Sequence, residues 1–113
     1  METETENKQY VVKRDGERDL AFTGKRIAVE DTRTDRSTRW ETYEIYQTVG
    51  KNTRYVLTEG YVSMWQGESD ANSASIFGTL EDLFAKMTEG GIYNGIVKSL
   101  AKQVNFDLTE HLD

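Results

Sequence analysis

Residues 39–66 read RWETYEIYQTVGKNTRYVLTEGYVSMWQ, and this stretch decides the fold. From Tyr43 the odd positions are Tyr43, Ile45, Gln47 and Val49; the even ones are Thr42, Glu44, Tyr46 and Thr48. Alternation with period two, rich in aromatic and β-branched residues, predicts a strand. Gly50-Lys51-Asn52 predicts a turn, and Tyr55 to Gln66 a second, antiparallel strand. The odd face is assigned to the core, which leaves Trp40 and Tyr46 on the other face. After the turn, Tyr55 and Leu57 share one face, Val56 and Thr58 the other. Gly60 interrupts the pattern, as a bulge or bend does. Beyond it Tyr61, Ser63 and Trp65 alternate with Val62 and Met64, so both faces of this piece carry apolar groups.

Outward toward the N-terminus, Gln9–Lys13 reads as a short strand and Asp15-Gly16 as a hairpin turn. Asp19–Asp31 is a second strand. Leu20 and Phe22 share a parity opposite to that of Ile27 and Val29, and one extra residue at Gly24-Lys25 would return both pairs to the core. Asp31–Arg39 (DTRTDRSTR) holds no apolar residue and reads as an exposed loop. Residues 1–8, METETENK, are expected to form a disordered acidic tail before a single domain at 9–113.

Outward toward the C-terminus, Gly67–Ser75 is a loop of small and acidic residues and Ser75–Phe77 a last strand. Short connections favour pairing of consecutive strands. At Thr79 the period changes. Thr79 is an N-cap candidate with Glu81 and Asp82 in the first turn, and Leu80, Leu83, Phe84 and Met87 form a helical stripe. Gly90-Gly91 stops this helix. Ile92, Ile96, Val97, Leu100 and Val104 form a second stripe, so helices are expected at about 80–89 and 92–104. Gly95 weakens the second by about 1 kcal/mol relative to alanine, and close packing on the sheet would account for it. The expected fold is α+β: an antiparallel β-meander of about five strands packed on two C-terminal helices. Phe106, Leu108 and Leu112 in the tail are expected to dock on their own domain rather than stay in water.

Composition narrows the function classes. The chain has 113 residues, 36% hydrophobic, 30% charged and 11% aromatic, with neither cysteine nor proline. One domain with a modest core follows, with no disulfide framework or thiol chemistry. No apolar run approaches the ~20 residues of a membrane span; the absence of cysteine and an acidic N-terminus unlike a signal peptide fit the cytoplasmic location that is expected. The net charge of −6 comes entirely from residues 41–113; residues 1–40 carry nine acids and nine bases. Acidic proteins neutralise few phosphates. Nucleic-acid binding is therefore not expected, although six of the seven arginines lie between Arg14 and Arg39.

Three motifs together resemble the EXLDI family of small bacterial proteins, named for a C-terminal E-x-L-D-I signature. Tyr46-Gln47-Thr48-Val49-Gly50-Lys51 is similar to that family's Y-x-T-x-G-K turn. Phe77-Gly78-Thr79-Leu80-Glu81-Asp82-Leu83 is similar to its strand-to-helix junction, F-x-S/T-L-E-E-L. Glu110-His111-Leu112-Asp113 matches E-x-L-D, with the final isoleucine missing. The resemblance covers residues 40–113. It implies the fold more than any activity. The ribbon-helix-helix segment of some members has no counterpart before residue 40.

The chemistry-bearing residues are sparse. His111 is the one histidine, with no second histidine or cysteine to complete a zinc set or triad. Glu68, Asp70, Asn72 and Ser73 offer oxygen ligands without EF-hand spacing, and a solvated turn is the expected role. Glu41 or Glu44 could approach Glu59 across the hairpin, with Arg39 or Arg54 interleaved. No glycine pattern cradles a phosphate. No catalytic residue, metal or cofactor is expected.

Trp40, Tyr46, Tyr61 and Trp65, with Arg39 and Arg54, are the candidate binding residues: aromatics on an uncovered sheet face make a stacking surface. The expected function is a non-catalytic interaction domain that binds a protein partner or itself as a homodimer. The alternatives are a ligand-binding module with a pocket lined by Tyr43, Tyr55, Phe84 and Tyr93, and a nucleic-acid-associated regulator using residues 25–39.

Overall fold

Ile45 pairs with Leu57 and Tyr46 with Val56 across the central hairpin. The computed structural model describes residues 7–92 and 94–108. Its elements are β1 (Lys8–Val12), β2 (Leu20–Asp31), β3 (Arg39–Thr48), β4 (Tyr55–Ser63), β5 (Ala71–Phe77), α1 (Leu80–Glu89) and α2 (Asn94–Gln103). The strands form one antiparallel sheet in the order β1-β2-β3-β4-β5, and both helices follow it. The α+β meander is therefore as the residue pattern predicts. β1 begins at Lys8, and β5 is longer than Ser75–Phe77.

The helices cover one face. Tyr43, Ile45 and Leu57 from the sheet meet Leu83, Phe84 and Met87 from α1 and Ile96, Val97 and Leu100 from α2, all buried. Helix α1 starts where Thr79 Oγ1 accepts from the Asp82 amide at 3.1 Å. It ends in a Schellman motif. The Ile92 amide donates to Met87 O at 3.3 Å and that of Gly91 to Thr88 O at 3.2 Å, with Gly91 at φ 76°. Helix α2 ends the same way around Asn105 at φ 56°, where the Phe106 amide donates to Ala101 O at 2.8 Å. That turn stacks Phe106 on Phe84 with ring centroids 4.8 Å apart. Phe106 thus docks on its own domain, and Leu108 is largely exposed. Leu112 and the E-x-L-D match lie outside the described residues, whereas the other two resembling motifs fall at the β3–β4 turn and the β5–α1 junction.

Three local expectations are corrected. The irregularity in β2 falls between Arg26 and Ala28, not at Gly24-Lys25. Leu20 and Phe22 share the parity of Arg26, which pairs with Tyr46, and so do not join the helix-side core. They cover the opposite face, packing against Tyr46, Val56 and Ala74 with Tyr10 and Val12. Gly60 makes no bulge: the pairing runs unbroken from Glu59–Tyr43 through Gly60–Thr42 to Tyr61–Glu41. Gly60 instead leaves room for the Thr42 hydroxyl, which a Cβ there would push aside. Gly95 is exposed in the first turn of α2, so sheet packing does not account for it.

The sheet also curls. The tip of the β1–β2 hairpin reaches the far edge strand, where the Asp15 amide donates to Asn72 O and the Asn72 amide to Asp15 Oδ2, both at 2.8 Å. The meander is thereby bent into a partly closed barrel, and one end of β5's open edge is capped. Among the described residues no helix is long and apolar enough to cross a membrane.

Candidate functional site

The six candidate binding residues do not form one flat face. Tyr46 is buried, 5% exposed, under the curled hairpin. Its ring meets Tyr10 edge-on at 4.7 Å and Phe22 at 5.3 Å. Its hydroxyl donates to Glu44 Oε2 at 2.9 Å, and the same oxygen takes Arg26 Nη1 at 3.0 Å. Burial pushes the Tyr46 phenol well above the ordinary tyrosine range, and the neighbouring Glu44 charge adds to this. Tyr46 is therefore a core residue. Arg54 lies at the β3–β4 turn, its guanidinium on the carbonyl of Thr53 at 3.3 Å.

The other four gather at the opposite end of the β3–β4 pair. Arg39 grips Glu68 with two bonds, Nε to Oε1 at 2.9 Å and Nη2 to Oε2 at 2.8 Å. The Ser63 and Tyr61 hydroxyls donate to the same carboxylate. Hydrogen bonds from Arg39 and then Ser63 hold the Glu68 carboxyl down to about 2. The Arg39 guanidinium lies 5.1 Å from the Trp65 ring centroid, and Arg33 sits 4.3 Å over Trp40. The Trp65 indole N–H donates to Thr38 Oγ1 at 2.9 Å. Trp65 remains 54% exposed and its neighbour Met64 67%.

Of the carboxylates expected to approach each other, Glu41 and Glu59 share the helix-side face as diagonal neighbours, and Glu44 lies on the other face with Arg26. Glu41 and Glu59 flank Tyr43 and Tyr61 in a cleft of about 290 Å³. No arginine interleaves them: Arg39 is taken by Glu68, and Arg54 lies at the far turn. The Tyr43 hydroxyl donates to Glu41 Oε2 and that of Ser73 to Glu59 Oε2, each at 3.3 Å. Burial, then the Glu41 charge, pushes the Tyr43 phenol up to about 12. The oxygen ligands of the 67–75 segment have other roles. Glu68 is held by Arg39, Asp70 Oδ1 accepts from the Ser63 amide, and Asn72 and Ser73 belong to β5. Among the described residues no group of three or more His, Cys, Asp or Glu gathers as a metal site. His111 lies outside them.

Of the residues expected to line a pocket between sheet and helices, Tyr55 lines an open cleft of about 360 Å³ with Ile27, Leu80 and Val104, where the sheet meets the helix ends. Tyr43 and Phe84 are packed into the core, Tyr55 is half-buried against it, and Tyr93 lies outside the described residues. In the basic segment 25–39, Arg26, Arg33 and Arg39 are engaged with Glu44, Trp40 and Glu68.

The residue pattern missed the Arg26–Glu44–Tyr46 group and the cleft beside it. That cleft, about 240 Å³, lies between the curled hairpin and the sheet, with Thr42, Thr58 and Asn72 on its walls. No motif marks these residues, because the β2–β3 and β4–β5 registers bring them together. Compared with known proteins, the chain matches no family model, and no curated protein and no solved structure shows significant similarity to it.

Proposed function

We propose that this is a non-catalytic interaction domain of the cytoplasm that binds a protein partner, or a second copy of itself, through the sheet end carrying Trp40, Tyr61, Trp65 and Arg39. One observation carries the reading: Trp65 and Met64 stay more than half exposed although the groups around them are already tied down. Trp, Tyr, Met and Arg are the residue types enriched where proteins meet. A tryptophan whose N–H is satisfied and whose flank is set by an arginine loses little freedom when a partner covers it. The ion-pairing of Arg26 and Arg39 counts against phosphate binding.

The test is affinity capture with the full chain, followed by mass spectrometry, alongside light scattering for self-association. The double variant Met64→Ala, Trp65→Ala should lose the captured protein, or the dimer, while melting within about 2 °C of the parent, since substitutions at exposed positions change stability little. Capture and association unchanged by the double variant would remove the proposal.

A further inference from the structure

The face opposite the helices holds a second candidate site, and it uses none of the residues proposed for the partner. The curled hairpin, latched to β5 by Asp15 and Asn72, stands over the sheet and leaves the cleft of about 240 Å³ beneath it. By water's share of liquid volume that is room for about eight waters, below the size of a drug-sized pocket. Thr42, Glu44 and Tyr46 of β3 share this face with Thr58 and Gly60 of β4 and Asn72 of β5.

Three features set the chemistry of an occupant. First, the charge at the floor is already matched: Glu44 is paired with Arg26 and accepts from Tyr46, so the floor offers no net charge to an ion. At the rim Lys13 and Glu59 are of opposite sign. Second, the side chains of Thr42, Thr58 and Asn72 are half-buried, yet none makes a hydrogen bond to another described side chain or backbone group. Two hydroxyls and a carboxamide can each donate and accept, the pairing an alcohol-rich molecule satisfies. Such groups in a partly dry cleft gain most from a partner that fills both roles. Third, Gly60 keeps the floor open, since a Cβ there would fall on the Thr42 hydroxyl. Val11 and Val12 add apolar surface for the C–H side of a ring.

We infer that this cleft binds a small uncharged polyhydroxyl molecule the size of a monosaccharide, with Thr42, Thr58 and Asn72 as its hydrogen-bonding groups. Partly exposed sites of this size bind weakly, so the apparent Kd is of millimolar order.

The experiment is a titration of the full ¹⁵N-labelled chain, followed by amide spectra, with D-glucose, myo-inositol and glycerol in turn, and separately with sodium phosphate and ammonium chloride. At least one of the three polyols should give saturable shifts centred on the amides of Thr42, Thr58, Gly60 and Asn72. Thr42→Val and Thr58→Val keep the shape and remove the hydroxyl. Each should weaken binding at least about threefold, a difference of about 0.65 kcal/mol, without lowering the melting temperature. Thr58→Ser should retain binding. The inference is overturned if no polyol saturates by about 100 mM, if the Thr42→Val, Thr58→Val double variant binds unchanged, or if only phosphate or ammonium binds. Capture of a protein partner at Trp65 is read separately, so either proposal can fail without the other.

Discussion

Arg39 at the start of β3 and Glu68 in the β4–β5 loop are joined by two parallel hydrogen bonds of 2.9 and 2.8 Å. This bidentate geometry is the strong form of the arginine–carboxylate pair. It fixes the loop that carries Trp65. The Glu68 carboxyl should titrate near 2 in the native chain, against an ordinary value of about 4.3. A carboxyl depressed by folding contributes stability above its unfolded value and loses it as the pH falls through the native one. Carboxyl carbon shifts followed with pH should show this midpoint, and Arg39→Met should move it back toward the ordinary range. A Glu68 midpoint near 4 in the parent protein would contradict the pairing.

Gly24 is fully enclosed where β2 crosses Thr48. A Cβ there would fall on the Gln47 carbonyl oxygen, which is backbone and cannot turn aside. Gly24→Ala should destabilise by about 1–3 kcal/mol, the scale of overpacking, read as a lower urea midpoint. Gly78→Ala, where a Cβ meets nothing within 4 Å, is the control and should leave the midpoint in place.

Phe106 holds the end of α2 to α1 through its stack on Phe84. Because Phe106 is half-buried, Phe106→Ala should cost less than the 3–5 kcal/mol of a fully buried ring, about 2 kcal/mol. The melting temperature should fall by several degrees, on the scale set by a domain of this length. An unchanged melting temperature would show that the stack contributes nothing.

The buried tyrosines set an alkaline limit. Tyr43 is pushed up to about 12 and Tyr46 higher still, chiefly by burial. A group whose native value is raised contributes stability below its unfolded value, about 10 for tyrosine, and loses it as the pH climbs toward the native one. Urea unfolding should therefore show stability falling steadily above about pH 10. Tyr46→Phe removes one of the two groups and should flatten this decline, while leaving Glu44 with Arg26 alone.

Much of the architecture was legible in local pattern. Thr79 as N-cap, Glu81 and Asp82 in the first turn, and Gly91 past the end mark α1 because each acts on backbone groups within one turn of itself. The alternation from Thr42 to Thr48 marks β3, and its odd positions Tyr43 and Ile45 do face the helices. The placement of the candidate binding residues was less legible. Trp40, Tyr46, Tyr61 and Trp65 carry the same aromatic signal in the chain. Yet Tyr46 is sealed under Phe22 and Tyr10, Tyr61 turns to Glu68, and Trp65 stands in water.

By itself the sequence determined the elements, their order and the helix-facing side of β3, since periodicity and caps are properties of neighbouring residues. The tertiary structure alone decided the rest. A one-residue irregularity flips every side chain beyond it, so the step between Arg26 and Ala28, and not the composition of β2, sends Leu20 and Phe22 to the face away from the helices. The cleft above Thr42 and Thr58 lies beneath a hairpin whose Asp15 meets Asn72, 57 residues along the chain. Curl accumulates over the whole sheet and has no signature at any one position.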